Sequence, residues 1–155
     1  GALLLNNIGN ARKEYGDLNG ALDAYGEART IRRRTRTLES TGGAGLLNNI
    51  GATKAEAGDL QGALEAYDDA LAIRQRTGTL ETPAGADLLM NMGAAREDLG
   101  DLDGALRDYE SALSLREQTG ALETANGALL LMNIENAQAK KAGIAERSKK
   151  VGLRC

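Results

Sequence analysis

The chain is predicted to be all-α, a right-handed α-solenoid of antiparallel helix-turn-helix repeats with about three full repeats and a partial fourth or capping helix. Three observations carry that prediction. A block reading L-x-N-x-G, then G-D-L-x-G-A-L, then a tyrosine, returns three times at a step of 42 residues, marked by Gly9, Gly51 and Gly93 and by Tyr25, Tyr67 and Tyr109. Within each block the apolar residues fall three and four apart, which is the spacing of one helix face. The blocks are divided at fixed places by the turns Gly16-Asp17-Leu18, Gly58-Asp59-Leu60 and Gly100-Asp101-Leu102. A fixed period in this range means stacked supersecondary units rather than one globule.

The elements follow in order from local chemistry. The first repeat spans 1–42, the second 43–84 and the third 85–126; a fourth copy opens at Leu131-Met132-Asn133-Ile134 and supplies a partial repeat over 127–143. In the second, Ser40 is a helix N-cap, as are its equivalents Thr82 and Thr124, with Pro83 at the favoured first helical position. Leu47, Ile50, Lys54 (through its stem) and Ala57 then share one face of a first helix, A. Gly58 ends it in a left-handed conformation and Asp59 caps a second helix, B, which carries Leu60, Ala63, Tyr67, Ala70 and Ile73 and stops near Gly78. Small residues let the pair approach, with Gly51 expected to face Ala63 and Ala70 across the hairpin. In the fourth copy Glu135 and Arg147 replace small residues, so 144–155 is expected to be a polar, basic capping helix or tail. Gly1 starts inside a helix A without a cap, as in a fragment or processed form of a longer array.

Composition narrows the function classes. The chain is 42% hydrophobic with no Phe, no Trp and four Tyr, so its core is thin and built from Leu, Ile and Ala. Zero histidine and a single cysteine, Cys155, exclude an intrachain disulfide, the usual zinc and haem ligands and every His-dependent triad; no metal or cofactor is expected. No apolar run is long enough to cross a membrane, and no signal-peptide pattern opens the chain. The setting this suggests is soluble and intracellular, cytoplasmic or organellar. Net charge is −3, distributed as +2 over 1–42, −3 over 43–84, −6 over 85–126 and +4 over 127–155. That mixture, without aromatic stacking platforms, argues against nucleic acid.

The residues so placed resemble the tetratricopeptide repeat family. Its pattern is matched by Leu5, Ile8, Gly9, Gly16, Ala21, Tyr25 and Ala28, then by Leu47, Ile50, Gly51, Gly58, Ala63, Tyr67 and Ala70, and again by Leu89, Met92, Gly93, Gly100, Ala105, Tyr109 and Ala112. The aromatic usual midway along helix A is instead Arg12, Lys54 or Arg96. The 42-residue period and the paired asparagines of Leu5-Asn6-Asn7 and Leu47-Asn48-Asn49 are similar to the kinesin-light-chain subclass. The resemblance implies a protein-binding module. It also shows one absence, since the chaperone-tail carboxylate clamp of some members needs Lys and Arg where this chain has Asn48, Ala52, Met90 and Ala94.

Stacked hairpins place helix A on an inner, concave wall. The candidate partner-binding residues there are Asn6, Asn7, Asn10, Asn48, Asn49, Glu56, Asp87, Asn91, Glu97, Asp98 and Asn133. Within this set Asn7, Asn49, Asn91 and Asn133 form a ladder at the repeat step. Amides carry both donors and acceptors and suit the backbone of an extended peptide, or else they bond to one another and hold the stack. Glu56, Asp87, Glu97 and Asp98 make the wall acidic toward the third repeat and would favour a basic ligand segment. An alternative outer docking site is the cluster Arg29, Arg32, Arg33, Arg34 and Arg36, otherwise explained as cations at a helix C-terminus. The basic tail, including Lys140, Lys141, Arg147, Lys149, Lys150 and Arg154, is expected to be a solvated end.

The function expected is a non-catalytic interaction scaffold, binding a protein or peptide or serving as a subunit of a multi-protein complex. Glycine- and alanine-rich arrays of this kind resemble algal ones, which implies an organellar or photosynthetic assembly as one setting. The alternative is a designed or excised repeat module, with self-stacking of its ends and no native partner.

Overall fold

The computed structural model describes the backbone of residues 1–152 and the side chains of residues 1–149, so Arg154 and Cys155 lie outside the described residues, as does the side chain of Lys150. Seven helices and no strands occur among them: α1 Ala2–Glu14, α2 Leu18–Arg34, α3 Thr41–Glu56, α4 Leu60–Thr77, α5 Pro83–Asp98, α6 Leu102–Gln118 and α7 Ala125–Gly152. The pairs α1/α2, α3/α4 and α5/α6 pack as hairpins, and α2/α3, α4/α5 and α6/α7 join each hairpin to the next. This is the α-solenoid the period predicts.

The N-termini of α2 to α7 are set by the expected capping chemistry, whereas α1 begins after Gly1 with no side-chain cap. The Asp17, Asp59 and Asp101 carboxylates accept from the amides of Gly20, Gly62 and Gly104, each at 2.9 Å. Ser40, Thr82 and Thr124 accept from Gly43, Gly85 and Gly127 at 3.2, 3.2 and 3.1 Å. The glycines between A and B hold φ of 81°, 87° and 85° at Gly16, Gly58 and Gly100. After helix B, Gly78 and Gly120 hold φ of 65° and 67°, but the first repeat puts Arg36 there at φ 57°. A side chain in that region costs about 1 kcal/mol that glycine avoids.

The close approach inside each hairpin has a different partner from the one the pattern suggests. Gly9, Gly51 and Gly93 face the rings of Tyr25, Tyr67 and Tyr109, not the helix B alanines. A Cβ on any of these glycines would lie closer than 3.0 Å to a ring carbon. Because the rings are at most 2% exposed, they have nowhere to move. The tyrosine supplies the bulk that this aromatic-poor core has, and the glycine makes room for it.

Arg12, Lys54 and Arg96, which stand in the usual aromatic position, tie helix A to helix B by polar contacts. Arg12 donates to the Gly20 carbonyl at 2.9 Å, Lys54 pairs with Asp59 at 3.2 Å and Arg96 with Asp108 at 2.8 Å. The fourth copy forms no hairpin. Its helix α7 runs unbroken from Ala125 through residue 143 to Gly152 and docks by its first half, where Leu130, Ile134 and Ala137 are buried. Farther along, Lys140 reaches Glu97 and Lys141 reaches Asp103, while Arg147 is exposed.

The buried tyrosines make the fold sensitive to alkali. Burial pushes Tyr25 up from the ordinary 10.0 and Tyr67 up to about 12; Tyr109 is raised by burial first and then by its hydrogen bond to Glu97. The folded chain therefore keeps protons that the unfolded chain gives up, and stability present below pH 10 is lost as pH rises from about 10 through about 12. A tenfold difference in proton affinity between the folded and unfolded chain is worth about 1.4 kcal/mol. Thermal midpoints should fall across that window, with tyrosinate absorbance rising together with loss of helicity. Full tyrosine ionisation near the ordinary value, in a chain still folded, would contradict this.

Candidate partner-binding surface

The A-helices α1, α3, α5 and α7 lie side by side as one wall. The predicted asparagines sit on it, but their bonds run at a different step from the ladder. Asn49 donates its amide to Asn6 at 3.2 Å and to Asn10 at 3.2 Å, and Asn91 donates to Asn48 at 3.2 Å. The second asparagine of one repeat thus reaches the first of the repeat before, a step of 43 residues for Asn6–Asn49 and Asn48–Asn91. At the next step Asn133 would meet Met90, which is buried and offers no amide. Asn7 is exposed, and Asn10 also accepts from the Tyr25 hydroxyl at 2.8 Å.

The acidic candidates divide. Asp87 is bonded to Arg116 and accepts from Asn126 at 3.0 Å, and Glu97 accepts from Tyr109 at 2.9 Å and from Lys140 at 2.5 Å. Both are therefore engaged in holding α5 to α6 and α7 rather than standing free as an acidic face. Glu56 remains half-exposed in an ion pair with Lys13 at 3.3 Å, and Asp98 is exposed without an ion pair among the described residues.

An open cavity of about 430 Å³ lies between α1 and α3. It is lined by Asn10, Lys13, Glu14, Tyr25, Asn49 and Glu56, so three of the candidate residues converge there. A second, of about 330 Å³, lies toward the N-terminal ends of α1, α3 and α5 and includes Asn6, Asn48, Asn49 and Asp87. Asn49 borders both, so the two are neighbours on the wall. Their surface combines amides and a Lys–Glu pair, groups that can hold the backbone and side chains of an extended segment, and the buried Tyr25 hydroxyl holds Asn10 from beneath.

The arginine cluster also divides. Arg32 donates to the Thr37 carbonyl at 3.4 Å and is half-buried. Arg74 and Arg116 do the same in later repeats, to Thr79 at 3.2 Å and Ala121 at 3.3 Å. This arginine recurs at the repeat step and braces the loop after helix B. Sequence reasoning missed it because Arg32 was grouped with its neighbours, although its recurrence at 74 and 116 was visible. Arg29 is half-buried, while Arg33, Arg34 and Arg36 are exposed and none of their guanidinium groups has a hydrogen bond or ion pair among the described residues.

No group of residues with metal-ligand spacing occurs among the described residues, and no described helix is long and apolar enough to cross a membrane.

Hairpins at a constant step with a polar A-helix wall define a helical-repeat scaffold. The chain belongs to the tetratricopeptide repeat family, whose model matches residues 42–118, about half of it. Among solved structures it is similar to BtubC (BKLC) from P. vanneervenii, with TM-score 0.83 and 20% identity over 99% of this chain and 63% of that one. It is similar too to a Podosopora anserina protein described as a kinesin light chain of nearly identical TPR-like repeats, with TM-score 0.79 and 15% identity over 92% of this chain and 67% of that one. The TPR2AB domain of yeast Sti1, solved in complex with pHSP90, gives TM-score 0.74 and 19% identity over 95% of this chain and 50% of that one. The chain thus spans one half to two thirds of these structures, and at such identities the likeness is one of fold. No curated protein matches it in sequence.

Proposed function

We propose that the chain is a non-catalytic scaffold that holds an extended segment of a partner protein along the A-helix wall. The observation that carries this is the cavity between α1 and α3, where Asn10, Asn49 and Glu56 converge with Lys13. Two of these amides already bond to each other, so their positions are set before a ligand arrives and binding costs less ordering. The wall offers amides and paired charges with no nucleophile beside a base, which fits binding better than turnover. The Sti1 domain, similar in fold, is solved with a bound partner, and that lends the reading support.

A second reading places the contact on the outer edge, and the exposed, unengaged Arg33, Arg34 and Arg36 favour it. Selection from a displayed random-peptide library separates the two. Selected peptides should lose most of their affinity for the Lys13→Ala/Glu56→Ala variant and keep it for Arg33→Ala/Arg34→Ala, with helicity unchanged in both. The reverse pattern would move the site to the outer edge.

A further inference from the structure

The recurring arginine is balanced in one repeat and not in the one before it. In the third repeat, Arg116 is 2% exposed and bonds to Asp87, with Asn126 of α7 closing over the same carboxylate. Shifted back by one repeat, the three positions are Arg74, Gly45 and Ala84. Arg74 is 5% exposed, donates to Thr79, and forms no ion pair among the described residues. Gly45 and Ala84 have no side-chain oxygen or amide to offer, and a Cβ on Gly45 would meet nothing within 4 Å. The room they leave is the cavity of about 330 Å³, lined by Arg74, Arg32, Asn48 and Asn49. The chain has thus built the arginine side of a carboxylate pair and left the carboxylate side open on the wall.

We propose that the cavity beside Gly45 is a carboxylate subsite, taking an aspartate or glutamate side chain of the partner segment against Arg74. This rests on the wall being where the partner lies, and it names one anchor of that partner. Placed where Asp87 stands in the next repeat, the incoming carboxylate meets a largely desolvated guanidinium, whose hydrogen bonds are charge-assisted. Asn48, Asn49 and Arg32 line the same cavity. Asp87 also borders the cavity and opposes a second anion, but its charge is already engaged by Arg116. Burial pushes the Arg74 guanidinium below its ordinary value while Asp87 acts the other way, which agrees with a buried cation short of counter-charge. The positions differ from the family's clamp, whose cations would come from helix A; here the cation comes from the end of helix B.

Two probes test it, one tethered and one free. In Gly45→Asp the new carboxylate should pair with Arg74 as Asp87 does with Arg116. The Arg74 Nη–H signals in NMR should then exchange more slowly, and the thermal midpoint should exceed that of Gly45→Asn, an advantage lost in acid as the aspartate is protonated. In the wild-type chain sodium acetate should shift the Arg74 signal saturably where acetamide does not, and Gly45→Asp should weaken the acetate response about tenfold or more. An Arg74 signal indifferent to both carboxylates overturns the proposal, as does inorganic phosphate shifting it at lower concentration than acetate. Library-selected peptides that bind the wall, yet bind unchanged when Asp and Glu are replaced by Asn and Gln, would sink this subsite and leave the proposed function standing. An acetate response without any wall-binding peptide would do the opposite.

Discussion

Gly51→Ala should destabilise the chain while Gly45→Ala, six residues earlier in the same helix, should stabilise it. Alanine is favoured over glycine in a helix interior by about 1 kcal/mol, so propensity alone predicts a gain at both sites. At Gly45 the new methyl meets nothing within 4 Å, and the gain should appear. At Gly51 it lands on the buried Tyr67 ring, and overpacking of this kind costs roughly 1–3 kcal/mol, enough to cancel the gain and reverse it. For a chain of this size each kcal/mol moves the thermal midpoint by about 2–4 °C, so paired melting curves should separate by several degrees. Pairing Gly51→Ala with Tyr67→Leu should recover part of the loss beyond additivity, since the two residues share one contact. Equal shifts at the two glycines would mean that the Gly–Tyr contact does not set the hairpin spacing.

Asp87→Ala should cost still more, about 3 kcal/mol, because it leaves the Arg116 guanidinium buried without its counter-charge. Against the roughly 5–15 kcal/mol that holds a typical domain together, that is a large fraction. The double variant Asp87→Ala/Arg116→Met should be far less damaging, since removing both partners leaves no orphaned charge. Urea unfolding of the three variants measures this directly. A mild Asp87→Ala combined with a severe double variant would show that Arg116 acts through its stem rather than through its charge.

These two effects also mark where the sequence was legible. Caps and turns could be read because their chemistry is local: an aspartate bonds an amide three residues on, and a left-handed position selects glycine in five of the turns. The recurrence at 42 residues then supplied the stacking. Gly51 was legible as a close approach but not as an approach to Tyr67, because the partner depends on how α3 and α4 are rotated against each other, and periodicity does not reveal that. The asparagines were legible as a set, but their bonding was not. A bond between repeats joins positions 43 apart, because it crosses from one helix to its neighbour with a small axial offset. Asp87 and Glu97 read as a free acidic wall because their partners, Arg116 and Lys140, lie 29 and 43 residues away. The departures between repeats prove the most informative positions. Gly45 against Asp87, Arg36 against Gly78 and Gly120, and Met90 against Asn48 are the places where a shared scaffold becomes particular.

The central claim is that the partner lies along the A-helix wall. A photo-crosslinking side chain placed at Glu14, which lines the same cavity, and separately at Arg34, tests it when each version is incubated with the binding partner that co-purifies with the chain. The Glu14 version should crosslink in high yield to one short stretch of the partner, and the Arg34 version should give little. Strong crosslinking from Arg34 with none from Glu14 would contradict the account and place the interaction on the outer edge.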